Sequence, residues 1–252
     1  MTASKLPLPC QLILDGPETG GWQMAVDEAL LEAAADNEIA YLRFYGWSEP
    51  TLSLGYFQPY RDRERHAASR DCPLVRRQTG GGAILHDREL TYCLTVPLAH
   101  PLAADTTRLY EAVHGALVDV LAGFGCVAQI NRGPVAAMSE EPFLCFQRRA
   151  PLDVLSGSAK ICGSAQRRRR GAVLQHGSLL LAASSHAPQL PGLVELTNQE
   201  LSPRSLAQSW QAAIAGRLQL RLEPAELGET ARRRARLLVR ERYGSQAWNQ
   251  RR

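Results

Sequence analysis

Three consecutive glycines, Gly80–Gly82, follow closely on the short run Leu74–Arg77 in the segment RRQTGGGAILHD, Arg76 to Asp87. A β-prone run that ends in glycines has to turn, because glycine reaches φ > 0 without the steric penalty of a Cβ. The same freedom lets backbone amides approach a ligand closely. Arg76 and Arg77, just ahead of the glycines, can neutralise a phosphate or carboxylate. The segment has neither the G-x-G-x-x-G spacing of dinucleotide folds nor the G-K-[ST] ending of a P-loop. A plain tight turn between strands explains the glycines equally well.

The pattern on either side of this break predicts alternating groups of strands and helices. Trp22–Ala35 has apolar Met24, Ala25, Ala29, Leu30 and Leu31 at helical spacing. Ala40–Tyr45 and Thr51–Leu54 read as short strands interrupted by Gly46 and Pro50. Ala83–Leu85 and Leu90–Val96 read as an antiparallel pair around His86-Asp87. Thr107–Leu121 is a helix ended by Gly123 and Gly125. Val127–Ile130, Leu152–Leu155, Lys160–Gln166 and Ala172–Leu181 form further strands, and Pro203–Leu218 and Pro224–Arg242 are helical. Strands in adjacent groups, with helices between and after them, predict an α+β fold rather than a doubly wound parallel sheet.

Bulk properties exclude several classes. With 252 residues, 45% hydrophobic and 21% charged, the chain is long enough for one large domain or two small ones. No apolar run reaches the roughly 18 residues that span a bilayer. The N-terminal MTASKLPLPCQLIL has no basic segment leading a long apolar one, so a cytoplasmic protein is expected. The six cysteines form no Cys-x-x-Cys pair and no His-x-x-x-His accompanies them, which leaves a metal site unsupported and free thiols expected.

Of the 29 basic residues only Lys5 and Lys160 are lysine. A chain that otherwise uses arginine as its cation makes Lys160 a marked choice, since an amine is compact and can lose its proton. Small residues flank it in SGSAKICGSAQRRRRGAVLQHGSLLL: Gly157, Ser158 and Ala159 before, Gly163, Ser164 and Ala165 after. They leave room for a slender ligand beside an amine able to stabilise a developing negative charge. A solvated strand lysine is the plainer reading. His176 is either a polar ligand contact or a hydrogen-bonded histidine at a strand bend.

The run Arg167–Arg170 lies where a hairpin tip is expected, so a solvated loop explains it better than nucleic-acid binding, and it can help dock an acidic protein. Cys145, in EPFLCFQRRAP, sits in an irregular stretch ahead of Arg148 and Arg149. Positive charge raises the thiolate fraction of a cysteine, and a thiolate attacks thioesters readily. A buried structural thiol is the alternative for Cys145 and the expectation for the other five cysteines.

Together RRQTGGGAILHD and AKICGSAQ…LQHGSLLL, in that order, resemble the lipoate–protein ligase and octanoyltransferase family, whose catalytic domain is shared with biotin–protein ligases. GWQMAVDEALLEA and LRFYGWSEPTLSLGYFQ are softer matches, and the likeness runs from about Gly16 to Asn249. The resemblance implies one catalytic domain over 1–252, without the extra C-terminal domain of many ligases. It also implies a mixed sheet, a tunnel for an aliphatic acyl chain and Lys160 near the acyl carbonyl. Cys145-Phe146 matches the Cys-Phe pair of a transferase branch that uses a cysteine nucleophile.

On that likeness Cys145 and Lys160 are the catalytic residues. Arg76, Arg77, Gly80, Gly81, Gly82, His86, Asp87, Gly163, Ser164, His176 and Gly177 bind substrate, with His86 and His176 as candidate bases. The expected reaction takes octanoate from acyl carrier protein without a cofactor. It delivers it to the lysine of a lipoyl domain, in an E2 subunit or the glycine-cleavage H protein. The family alternative is a ligase that uses ATP and Mg2+ to form lipoyl-AMP. From another class, a non-catalytic carrier- or nucleic-acid-binding module would leave Lys160 and Cys145 without a purpose. No membrane and no nucleic acid is expected as a partner.

Overall fold

The computed structural model describes residues 7–134, 141–169 and 171–252, so Lys5 and Arg170 lie outside the described residues. Helix α1 (Gly20–Asn37) and strands β2 (Ala40–Tyr45) and β3 (Thr51–Leu54) form where the periodicity places them. Helix α2 (Thr106–Gly123) starts at Asp105, whose carboxylate accepts from the amides of Thr107 and Arg108, satisfying two donors the first turn leaves open.

Eight strands make one mixed sheet. They are β1 (Leu8–Leu14), β2, β6 (Glu89–Pro97), β7 (Gln129–Ile130), β8 (Val154–Ser156), β9 (Ala159–Arg169), β10 (Ala172–Leu180) and β11 (Leu220–Pro224). Their spatial order is β11-β1-β2-β6-β10-β9-β8-β7. The pairs β11–β1 and β1–β2 are parallel and the rest antiparallel. A second, three-stranded sheet has the order β4-β3-β5, with β4 (Leu74–Arg76) and β5 (Ile84–His86) flanking β3. This is the α+β arrangement expected from the grouping of strands.

One face of the large sheet is covered by α2 and α4 (Pro203–Leu218), which bury Phe44, Tyr92, Leu94 and Trp210 with it. Trp210 donates its indole N–H to Val113 O at 3.0 Å, tying α4 to α2 while burying its rings. The other face is covered by α1 and α5 (Glu229–Leu238). The small sheet has its own apolar cluster, in which Leu52 and Leu54 meet Phe143 and Leu144. No helix of the described residues is long and apolar enough to cross a membrane.

Two expectations need correction. The runs around His86-Asp87 do not pair with each other. β5 pairs with β3 in the small sheet, and β6 lies between β2 and β10 in the large one. Every residue of β6 is buried, which requires a neighbour on both edges and helices on both faces. The link between β5 and β6 therefore carries the chain from one sheet to the other. Pro224–Arg242 is not one helix either. Pro224 closes β11, α5 begins only at Glu229, and the chain then widens into a single π turn, Val239–Tyr243.

Candidate active site

Lys160 enters the site through a hairpin. β8 and β9 are joined at Gly157, whose φ of +56° suits glycine. The pairing is irregular: Val154 faces Cys162 while Leu155 faces Lys160, leaving Ile161 as the extra residue of a bulge. A bulge re-aims side chains, and here the Lys160 amine lies 2.9 Å from Asp153 Oδ2, with both side chains buried. Asp153 is itself held by the Ala150 amide at 2.7 Å. Gly163 makes the space: a Cβ there would lie 2.5 Å from Lys160 Cε and 2.8 Å from Nζ.

Cys145 arrives from the opposite wall, on a single 3-10 turn (Cys145–Gln147). Its amide donates to Ala83 O at 2.7 Å, and the Ala83 amide donates to Phe143 O at 3.2 Å, so the turn is stitched to the residue that follows the glycines. A Cβ on Gly82 would lie 3.5 Å from Cys145 Cβ, which places the glycine loop in contact with the thiol-bearing residue. The thiol sulfur is 3.7 Å from Lys160 Nζ, and Cys145 is the one half-exposed cysteine while the other five are buried. Burial opposes the charge of Lys160, but the charges of Cys145 and Asp153 outweigh it and hold its pKa above the ordinary lysine value. The cation at the thiol is therefore Lys160. Arg148, expected for this role, pairs with Glu141, and Arg149 is exposed.

The glycine loop is held from inside by Arg77. Its guanidinium donates to Gly80 O at 3.1 Å and Gly82 O at 2.9 Å, and to Ser53 O and Oγ at 2.9 and 2.6 Å. Burial lowers its pKa to about 10. Gly81 has φ +97°, and a Cβ on Gly55 would lie 1.9 Å from Gly81 O, so this crossing of two loops requires glycine at Gly55. Arg76 is buried and gives its donors to the carbonyls of Gly55, Gln58 and Asn249. The pair expected to neutralise an anion thus braces the loop with its charges spent on backbone oxygens.

Both predicted histidines border the site. His176 Nδ1 donates to Asp27 Oδ2 at 3.0 Å, and Nε2 is 2.8 Å from Thr79 Oγ1. Asp27 also accepts from Arg43 at 3.0 Å and from Tyr45 OH at 2.9 Å. His86 donates from Nδ1 to Glu89 at 2.7 Å, accepts from Ser53 Oγ at 2.7 Å and stacks on Trp47 at 3.8 Å. Its burial outweighs the Glu89 charge and lowers its pKa. Both rings are engaged in these networks, whereas the hydrogen-bond partner found for the thiol is the lysine amine.

Between the two walls runs a narrow cavity with about 50 Å³ of free space, against about 300 Å³ or more for an ordinary ligand pocket. Met24, Tyr45, Ile84 and Phe146 supply apolar lining. Of the residues named from the sequence, Cys145, Lys160, Arg77, Gly80, Gly81, His86, Gly163, Ser164, His176 and Gly177 line it, while Arg76 and Gly82 are not among its lining residues. Nor is Asp87: it lines a separate cleft of about 730 Å³ with Leu14, Phe44, Trp47 and Leu201. Ser164 also accepts from Tyr92 OH and donates to His114 Nε2, both at 2.6 Å. Sequence reading missed Asp27, Arg43, Glu89 and His114. The available signal was a charge inside an apolar run, as with Asp27 in MAVDEALL and Arg43 in AYLRFY.

A thiol and a buried amine thus face each other across a glycine loop on this mixed sheet, groups of the kind that acyl transfer uses. The description "Lipoyl protein ligase A/B catalytic domain" matches residues 20–209, and the chain belongs to that family. Among its relatives is an octanoyltransferase LipM of Kyrpidia tusciae, 33% identical over 96% of this chain and 98% of that one. The octanoyltransferase LipM of Bacillus anthracis is 30% identical over 94% and 96%. The solved lipoate-protein ligase A bound with ATP has the same fold, with a TM-score of 0.78 at 22% identity over 96% of this chain and 99% of that one. So does the bipartite lipoate protein ligase of Thermoplasma acidophilum, from a structural analysis of that ligase and its E2 lipoyl domain, with a TM-score of 0.76 at 20% identity over 97% and 96%.

Proposed function

We propose that this protein is an octanoyltransferase that carries the acyl group on Cys145. Octanoyl-acyl carrier protein is the donor, and the lysine of a lipoyl domain, in an E2 subunit or a glycine-cleavage H protein, is the acceptor. The observation that carries the reading is the Lys160 amine, 3.7 Å from Cys145 Sγ and 2.9 Å from Asp153. The names of the full-length relatives support the same activity.

In the first step the Cys145 sulfur attacks the thioester carbonyl, forming a C–S bond and a tetrahedral oxyanion. The Lys160 ammonium and the amides of the Gly80–Gly82 loop are the groups placed to stabilise that charge. Collapse expels the carrier thiolate, which takes a proton. The acceptor amine then attacks the enzyme thioester and passes a proton to the departing Cys145 sulfur, which returns to its place beside Lys160. Lys160 is kept charged by Asp153, so its part is electrostatic. The acyl chain enters among Met24, Ile84 and Phe146. Met24 has the adaptable side chain that lets so narrow a cavity widen. Each buried methylene contributes about 0.8 kcal/mol, which favours a chain of defined length.

An ATP-dependent ligase on the same fold needs free donors for an adenylate, and Arg76 and Arg77 turn most of theirs on the protein's own oxygens, with Arg77 Nε buried and without a partner. We therefore infer a reaction without ATP. Intact-mass spectrometry after mixing with octanoyl-acyl carrier protein, without ATP, is the test. An octanoyl adduct on the wild type and none on Cys145→Ala is expected. Lipoyl-AMP formed from lipoate, ATP and Mg2+ by a Cys145→Ala protein would overturn the reading.

A further inference from the structure

The arginine run of the β9–β10 hairpin is not uniform. Arg168 donates to Ala103 O at 2.9 Å, and Arg169 pairs with Glu28 at 3.2 Å. Arg167 instead turns its guanidinium to the ring of Tyr56, 5.2 Å from the centroid. Two more cations reach the same ring: Arg251 at 3.8 Å and Arg252 at 5.8 Å. Arg252 also lies 5.4 Å from the exposed ring of Phe57, and Arg251 stacks on Trp248 at 4.0 Å. Among the described residues none of the three arginines has a carboxylate partner. The Nε atoms of Arg167 and Arg251 are buried without an acceptor. Arg251 also gives Nη2 to Tyr56 O at 3.4 Å. Three cations gathered on one ring with no acidic side chain beside them repel one another, and a planar fork stacked on an aromatic face keeps part of its edge open for a phosphate oxygen.

This collar stands at the mouth of the narrow cavity. Gly163 and Ala165 line the cavity, and Arg167 continues the same face of β9 by one more step of two residues. On the other side Phe57 lies 4.0 Å from the Cβ position of Gly80. Lys160 bridges Cys145 to Gly163, and Arg167 is four residues further along the strand, about 13 Å. The arm of a phosphopantetheine thioester has thirteen bonds from sulfur to phosphorus, as many as between four and five residues of extended chain, roughly 15 Å. An acceptor lysine is shorter and carries no anion along its length.

We propose that Arg167, Arg251 and Arg252, assembled on Tyr56, bind the phosphodiester at the root of the donor's pantetheine arm while its thioester reaches Cys145. The proposal rests on the thioester reading above. It makes the arginines a device for recognising a carrier-borne acyl group rather than a free one.

The test compares octanoyl-pantetheine with octanoyl-4′-phosphopantetheine as donors, reading the acylation rate of Cys145 by intact mass. Wild type is expected to half-saturate at a roughly tenfold lower concentration of the phosphorylated donor. The triple variant Arg167→Gln, Arg251→Gln, Arg252→Gln is expected to lose that preference and keep the wild-type saturated rate with octanoyl-pantetheine. The single variant Arg252→Gln, an exposed position, should lose part of it with the fold unaltered. Equal half-saturation by the two donors in wild type, or a preference that survives the triple variant, would overturn the proposal. Arginine dependence seen only with the intact acidic carrier would also overturn it, and would assign the collar to the carrier's carboxylates. Failure of both donors to acylate the wild type refutes the thioester reading instead. Calorimetry with 4′-phosphopantetheine against pantetheine then decides the collar by itself: binding of the phosphorylated form that the triple variant loses supports it, and equal binding of both forms refutes it.

Discussion

The two ends of the narrow cavity are built on different principles. At one end Asp27 takes hydrogen bonds from Arg43, Tyr45 and His176, all on α1 or on interior strands of the large sheet. Arg43 and Asp27 are fully buried, and Arg43 reaches Asp15 as well. At the other end Cys145 sits on one 3-10 turn held by two backbone hydrogen bonds to Ala83 and its neighbours, with a half-exposed sulfur whose partner is a single amine. The first end has its charges paired and immobile. The second keeps one thiol and one cation close together, the pair proposed to meet the reacting carbonyl. A buried polar floor of this kind is expected to matter for stability, and the proposed reactive pair for rate.

That division is open to test, starting where the effect is largest. Asp27→Asn leaves a buried guanidinium short of one countercharge, so the urea midpoint is expected to fall by the equivalent of about 3 kcal/mol or more. Removing the surface partner of Glu141 by Arg148→Ala should cost under about 1 kcal/mol. An Asp27→Asn protein as stable as wild type would break the assignment of this end to stability. At the reactive end Gly163→Ala has the opposite profile. The new Cβ meets the flexible end of Lys160 at 2.5 Å and the Asp153 carboxylate at 3.2 Å, side-chain ends rather than backbone, so the fold should hold while the amine is pushed from the thiol. Acylation should slow about a hundredfold, with the melting temperature little changed. An unaltered rate would show that the lysine position does not matter.

The smallest effect concerns His114, which holds Ser164 on the cavity wall. Its Nδ1 donates to Leu152 O at 2.5 Å, next to Asp153, and burial lowers its pKa to about 4. The unfolded chain binds this proton near pH 6.5 and the folded chain does not. The contribution is therefore complete above pH 6.5 and lost as pH falls towards 4, about 2 kcal/mol of it by pH 5. Denaturation of His114→Gln between pH 7 and 5 should show a correspondingly shallower loss, and a slope equal to that of wild type would contradict this account.

Much of the architecture was legible because it is local. α1, β2, β3, α2 and the β8–β9–β10 run all announce themselves by periodicity and by turn glycines such as Gly157 and Gly171. What was not legible depends on distant partners. β11 exists because β1, more than two hundred residues earlier, gives it a parallel edge to pair with. β5 and β6 look like a hairpin until β3, β2 and β10 claim their edges. Cys145, Lys160 and the glycines could be nominated from residue type, but their 3.7 Å contact depends on a bulge opposite Leu155 and on a bridge between Ala83 and Leu144. Arg76 and Arg77 misled for the same reason: a charge next to glycines looks poised for a ligand until its carbonyl partners are seen.

The most direct measurement follows the acyl group itself. Octanoyl-enzyme would be isolated, freed of donor, and mixed with a lipoyl domain in the absence of ATP while both masses are recorded over time. The expected result is loss of octanoate from Cys145 matched by its appearance on the domain's lysine. An acyl-enzyme that persists or hydrolyses while the domain stays unmodified would contradict Cys145 as the carrier of the transferred group.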